Sequence, residues 1–388
     1  MKHTKTCSTI LLAIGGLGIS HIATAASAEI GDTTVKFSGY IKADAIISQY
    51  SDGSLPSGSL SRDFYIPSLT PVGGNPETTQ FDMHVRQSRF RFTTTTPTAE
   101  GDTITGVLEF DMLVTPGGNE RVSNSYLPRI RHGYIQYKGF LAGQTWSTFM
   151  DVAAFPDTLD FIGNADGMSF NRQAMIRYST GNWQFALENP ETTLTPFGGG
   201  ARIVAADSSL PDLVANYTHK ADWGYIKIAG LARQLSYNDG AGIDTTESAF
   251  GVTLSSRINI GEDDIRITMN SGTGVGRYTS LNAANGGVLN AQGEIETIDT
   301  YAYSAAYRHV WNEKFHSSFV FAAFNADNNA ALTGQNVTAE TQSTSVNLWY
   351  RPTAKIRVGG EYTLAKREIV SGADGDMNRM QFSIRYDF

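Results

Sequence analysis

The chain has 388 residues, 39 of them Gly and 17 Tyr, yet only 18% are charged, a composition that suits two or three soluble domains poorly. Its net charge of −8 makes it a poor nucleic-acid binder. The single cysteine, Cys7, lies in the first few residues, which excludes a disulfide framework, a Cys-based zinc site and a cysteine nucleophile from the rest.

Lys2 and Lys5, the apolar stretch Ile10 to Ile19 and the small residues Ala26-Ser27-Ala28 read as a secretory signal peptide over residues 1–28, cleaved before Glu29. The apolar run is far short of the roughly 20 residues of a membrane-spanning helix, and His21 interrupts it. Loss of Lys2 and Lys5 with the leader takes the net charge from −8 to −10.

Beyond residue 28 no uncharged apolar segment could span a bilayer as a helix, so a membrane location has to be reached with strands. In the first expected strand, 35–49, Phe37, Gly39, Ile41, Ala43, Ala45 and Ile47 alternate with Ser38, Tyr40, Lys42 and Asp44. In the second, 80–95, Gln87, Arg89 and Arg91 oppose Ser88, Phe90 and Phe92; in the third, 102–114, Leu108, Phe110 and Met112 oppose Glu109 and Asp111. Further strands are expected at 129–138, 139–148, 173–179, 183–189, 213–220, 224–237, 248–260, 264–272, 297–309, 314–326, 340–351, 355–369 and 377–388. The first of these, 129–138, alternates poorly. The last sets Met380, Phe382, Ile384, Tyr386 and Phe388 against Arg379, Gln381, Ser383, Arg385 and Asp387.

The 16 expected strands are joined alternately by long and short connections. The long ones are 50–79, 115–128, 149–172, 190–212, 238–247, 273–296, 327–339 and 370–376; turns such as Thr180-Gly181-Asn182, Gly261-Glu262-Asp263 and Trp311-Asn312-Glu313 join the rest. Long loops on one side and tight turns on the other describe an all-β fold, a transmembrane antiparallel β-barrel. No segment between long loops is large enough to bury its own core, so residues 29–388 are expected to form one outer-membrane barrel domain.

Parity sets the charged side chains opposite apolar neighbours. An Arg or Lys facing lipid at the midplane costs about 2–4 kcal/mol, so these groups are expected to line a watery lumen. The basic set is Lys42, Arg89, Arg91, Arg129, Arg131, Arg177, Arg257, Arg266, Arg308, Arg357 and Arg385; the acidic set is Asp44, Glu109, Asp111, Glu188 and Glu361. His84 and Arg86 have the opposite parity to Arg89, which requires a position beyond the hydrocarbon layer or a bulge. The third long loop mixes Phe155, Leu159, Phe161 and Ile162 with Asp151, Asp157, Asp160 and Asp166. Folding it inward would bury the apolar residues and set the four acids against the basic residues of strands two and four. The other reading places it outside, at a contact between copies.

Tyr301, Tyr303, Tyr307, Trp349, Tyr350, Tyr362 and Tyr386 lie near strand ends and are expected in the aromatic girdles of the membrane interfaces. Ser271-Gly272-Thr273-Gly274-Val275-Gly276 lacks nucleotide-loop spacing and reads as a glycine-rich external loop. None of His84, His132, His219, His309 and His316 lies in a HExxH motif, and no G-x-S-x-G elbow or Walker loop occurs. Asp374-Gly375-Asp376 and Glu262-Asp263-Asp264 read as solvated turns rather than calcium sites. No cofactor, no metal and no enzymatic activity are expected.

Five segments resemble the DcaP-like family of trimeric outer-membrane porins: Phe37-Ser38-Gly39-Tyr40-Ile41-Lys42-Ala43-Asp44, Gln87-Ser88-Arg89-Phe90, Gly143-Gln144-Thr145-Trp146-Ser147-Thr148-Phe149-Met150-Asp151, Ala186-Leu187-Glu188-Asn189-Pro190 and the terminal Phe388. The resemblance implies a 16-stranded homotrimer in outer-membrane lipid that admits small anionic solutes, dicarboxylates included, and a part for Phe388 in assembly. A periplasmic coiled coil found in some members is not expected, because few residues separate Glu29 from the first strand. The function expected is a passive diffusion porin of a Gram-negative outer membrane for small hydrophilic solutes, carboxylates foremost. The rivals are an outer-membrane lipase or protease and a plugged structural or adhesion barrel.

Overall fold

The computed structural model describes residues 26–114 and 123–388. The expected leader lies outside them except for its last three residues, of which Ser27 and Ala28 belong to a short arm, Ser27–Ile30, paired antiparallel with Thr33 to Lys36.

Sixteen antiparallel strands close into a barrel. They are β1 (Thr33–Tyr50), β2 (Thr78–His84 continued by Arg89–Pro97), β3 (Thr103–Asp111), β4 (Arg129–Tyr137), β5 (Phe140–Trp146), β6 (Arg172–Thr180), β7 (Trp183–Glu188) and β8 (Asp212–Ala221). The second half comprises β9 (Gly224–Asn238), β10 (Asp244–Ile260), β11 (Asp263–Thr273), β12 (Asp299–Asn312), β13 (Phe315–Asp327), β14 (Thr338–Thr353), β15 (Ile356–Ile369) and β16 (Asp374–Asp387). Each pairs with its neighbour in sequence, and β16 pairs back onto β1, with Ile41 opposite Tyr386. Eight long connections share one end and seven short ones the other, the rhythm expected from the sequence.

Alternation decides which face each side chain takes. Ile41, Leu108, Ile135, Ile176, Leu187, Phe250, Tyr303, Leu348, Leu364 and Phe382 are exposed on the outer wall, while Lys42, Glu109, Gln173, Glu188, Ser304, Asn347, Glu361 and Gln381 are buried inside. An apolar exterior around a polar interior is stable only where the surrounding solvent is hydrocarbon.

Two irregularities explain where the parity reading strained. The second expected strand, 80–95, is interrupted at 85–88, where Ser88 N donates to Val85 O. The break switches the face, so His84 and Arg89 both point inward despite their odd separation. The β3–β4 register shifts between Glu109 and Phe110, which lets Arg131 and His132 both be buried and accounts for the weak alternation of β4. Among the girdle aromatics Trp349 is a correction: it is buried inside the barrel, beside His316, while Tyr301, Tyr303, Tyr307, Tyr350, Tyr362 and Tyr386 face outward.

The terminal residue completes the seam. Phe388 N donates to Gly39 O (3.1 Å), Gly39 N donates to Phe388 O (3.3 Å), and the Phe388 ring lies 5.3 Å from Phe37 and 6.1 Å from Phe90. Deleting Phe388 removes both bonds and the centre of this aromatic cluster. The variant is expected to insert poorly, seen as a lower yield of folded protein on unheated gels; wild-type yield would show that the seam closes without it.

Candidate functional site

Long loops occupy the lumen. The third, 147–171, packs on the inner wall through Phe149, Met150, Phe155, Leu159, Ile162 and Met168, all buried. It meets the sixth, 274–298, through a bridge between Ser169 and Thr279, with Phe170 N donating to Tyr278 O (3.1 Å) and Ser280 N to Met168 O (2.8 Å). This corrects the external placement of the glycine-rich segment: Val275 and Tyr278 are buried against Phe149, Val214, Ala229 and Leu231. Gly276 has φ 48°, and a Cβ there would stand 2.7 Å from Gly286 N, so only glycine lets the two backbones pass. The glycines that read as an external loop mark close packing.

Of the four acids of the third loop, Asp160 shares a cavity with Arg89, Arg129 and Arg131 of strands two and four, whereas Asp151, Asp157 and Asp166 reach other walls. Asp151 accepts from Tyr225 Oη (2.7 Å) and Ser255 Oγ (2.6 Å); Asp157 lies 3.0 Å from His316 Nε2. Asp160 accepts from Gln381 (2.9 Å) and lies 3.8 Å from Lys42 Nζ, and Asp166 accepts from Tyr65 Oη (2.9 Å) and Ser343 Oγ. Burial pushes the Asp166 carboxyl above its usual range. It also works against the charge of Asp157, but the His316 contact outweighs it and holds that carboxyl down at about 2. The reason for the correction is steric: the apolar residues between the acids seat the loop, so each acid reaches whichever wall lies beneath it.

The loop also turns Phe161 toward strands two and four, its ring centroid 5.0 Å from the Arg89 guanidinium and 5.2 Å from that of Arg131. These belong to an arginine cluster around two acids. Glu109 holds Arg131 (2.8 Å), Arg91 (3.4 Å) and Arg89 (3.5 Å), while Asp111 holds Arg129 (2.7 Å) and Arg131 (2.9 Å). Arg172 stacks on Trp146 at 4.7 Å. Arg89, Arg129, Arg131, Gln87 and Asp160 line a cavity of about 190 Å³ whose other walls include Phe64, Phe161, Ile162 and Phe170. Arg89 Nη2, Arg131 Nη2 and Arg172 Nε find no acceptor among the described residues.

A second cluster stands toward the short-turn end. Asp264, fully buried, binds Arg257 (2.9 Å), Arg266 (2.6 Å) and Arg308 (2.7 Å). Arg357 and Arg385 share Asp387, and Arg385 covers the Tyr40 ring at 3.8 Å. Lys42 is bound to Asp44 at 2.6 Å, and Arg177 donates to Trp146 O. Glu188 and Glu361, expected on the lining, tie down the third loop: they accept from Thr148 N (2.7 Å) and Leu159 N (3.1 Å).

The sequence reading missed Arg172, Lys227, Arg233, Arg277 and Arg379, and with them Asp212; Asp264, read as part of a solvated turn, is instead fully buried among three arginines. Arg379 was legible, since it shares the polar face of β16 with Gln381. Lys227 and Arg233 share theirs with Ala229 and Leu231, inward apolar residues that receive the loops, so no polar stripe marked them. Lys227 Nζ donates to Met150 O (2.5 Å), and Arg233 and Arg277 lie 3.3 and 3.8 Å from Asp212. Among the described residues no group of three or more His, Cys, Asp or Glu could hold a metal ion.

The family model described as DcaP outer membrane protein matches residues 19–388. The solved outer membrane channel DcaP of Acinetobacter baumannii is similar at TM-score 0.77 and 20% identity, covering 93% of this chain and 99% of that one. OmpT, an outer membrane protein of Vibrio cholerae, gives TM-score 0.55 at 11% identity, covering 94% of this chain and 100% of its own. Salmonella typhi OmpF, solved with daunomycin, gives 0.55 at 10% identity with the same coverage. A search of curated proteins finds no match.

Proposed function

The chain belongs to the DcaP outer membrane protein family and is a porin-type channel of the Gram-negative outer membrane; within it we propose a passive path for small hydrophilic solutes that favours small anions, dicarboxylates among them. One observation carries this reading. Four guanidiniums, of Arg89, Arg91, Arg129 and Arg131, gather around the two carboxylates of Glu109 and Asp111, with that of Arg172 beside them on Trp146, and four nitrogens of Arg89, Arg131 and Arg172 lack a hydrogen-bond acceptor among the described residues. Such donors suit a carboxylate, which accepts from arginine in a planar fork.

The net charge of the whole chain is a weaker guide. Exposed acids such as Asp239, Glu294 and Asp327 stand in the long connections or at the strand rim, and charges more than about 10 Å from the path are largely screened near 0.1 M salt. The loop acids are engaged by hydroxyl groups, His316 and Gln381. Low-dielectric walls focus the field of the arginines into the narrow zone. A passive channel is supported over a hydrolase by the match of residues 19–388 to the DcaP outer membrane protein model and by the likeness to a solved DcaP channel.

The test is the reversal potential across planar bilayers in a salt gradient, using purified protein whose native mass should be that of three chains. Wild type should favour the anion, and Arg89→Ala with Arg91→Ala should move the potential clearly toward the cation. A cation-selective wild type, or a double variant that does not shift, removes this arginine cluster as the filter; a native mass of one chain removes the homotrimer.

A further inference from the structure

The arginines are held by more than their acids. The rings of Phe161 and Trp146 are stacked, with centroids 5.4 Å apart and planes inclined by 10°. Arg89 and Arg131 lie over Phe161 at 5.0 and 5.2 Å, and Arg131 and Arg172 lie over Trp146 at 5.3 and 4.7 Å. One stacked pair of rings therefore touches three guanidiniums, one of which, Arg172, approaches Trp146 rather than either carboxylate of the cluster.

We propose that Phe161 is a positioning residue for selectivity: together with Trp146 it clamps Arg89, Arg131 and Arg172 by one face and holds Arg89 and Arg131 at the wall of the cavity they share with Gln87 and Asp160. The inference rests on the anion path proposed above and adds the group that keeps its filter in place. Carboxylate and ring act differently on a guanidinium. A carboxylate takes hydrogen bonds from the edge, which uses the donors and neutralises the charge. A ring attracts the cation through its face and leaves every edge donor available. Without the clamp, Arg89, which stands 3.5 Å from Glu109, would close onto that carboxylate, and the cavity would lose its charge and donors.

Phe161 is well placed for a clean test because its neighbours hold the loop. Asp160 accepts from Gln381 at 2.9 Å, Asn164 bonds Ser343 and Ser345 at 2.9 and 2.6 Å, and Ile162 is buried against Phe64 and Leu113. Removing one aromatic face leaves these anchors intact.

The experiment compares Phe161→Leu, which keeps apolar bulk without a π face, with Phe161→Tyr, which keeps the face, and with Arg131→Ala. Reversal potential, single-channel conductance and heat resistance are measured for each. Phe161→Leu should lower the anion-to-cation permeability ratio by about threefold, the scale of a lost cation–π contact, in the same direction as Arg131→Ala. Phe161→Tyr should keep the wild-type ratio, and both Phe161 variants should keep wild-type conductance and heat resistance. An unchanged ratio in Phe161→Leu overturns the clamp, as does an equal fall in Phe161→Tyr. A fall accompanied by a rise in conductance overturns it too, because the loop has then left its seat. A wild type that prefers cations removes only the anion reading, since the clamp is judged by the shift between variants.

Discussion

Deletion of Phe155 to Asp166 is expected to raise single-channel conductance severalfold while leaving the barrel resistant to hot detergent. This segment crosses the lumen and is bound to several parts of the wall: Asp157 to His316 on β13, Leu159 to Glu361 on β15, Asp160 to Gln381 on β16, and Asn164 to Ser343 and Ser345 on β14. The strand ladders close without it, because each strand pairs with its two neighbours around the ring. Cross-section and stability should therefore separate. A point substitution offers an independent route. A Cβ on Gly167 would lie 2.2 Å from Tyr303 O, so Gly167→Val should push the loop off β12 and raise conductance in the same direction. Wild-type conductance in both variants would mean that the path runs elsewhere.

Asp264→Ala should produce a large loss of stability. Asp264 is fully buried and holds three guanidiniums within 2.9 Å, those of Arg257, Arg266 and Arg308, which are themselves partly in contact with the lumen. Removing one partner of a buried ion pair costs about 3–5 kcal/mol, and solvent access to the arginines places this case toward the lower figure. The midpoint of denaturant unfolding in lipid vesicles should fall accordingly, and Asp264→Asn, which keeps an acceptor, should fall less. Selectivity should move the opposite way from Arg89→Ala, toward anions, because one negative charge leaves the wall. An unfolding midpoint equal to wild type would show that water already compensates the three arginines.

The two substitutions differ in how far their effects could be foreseen. Arg257, Arg266 and Arg308 were legible on the inner wall, since each alternates with outward apolar neighbours, but nothing in the sequence said that all three converge on Asp264. Arg257 and Arg266 are directly opposed in the β10–β11 register, and Asp264 faces Arg308 across β11–β12. Convergence is a property of that register. The break at 85–88 is similar: a parity conflict between His84 and Arg89 signals an irregularity, and only the folded backbone gives its form.

The sequence by itself determined the strands, their number, the long and short ends, the apolar exterior and the polar interior. These follow from a period of two read against two solvents, hydrocarbon outside and water inside, and that information is local to each strand. Only the tertiary structure decided what fills the lumen. Asp166 meets Ser343 and Tyr65, Phe161 meets Arg89 and Arg131, and the glycine-rich segment after β11 docks on the third loop. These partners lie on different strands and loops, and they come together because closing the barrel brings distant walls within reach of one loop. Alternation carries no record of that distance, so the facing of the loop acids could not be read from it.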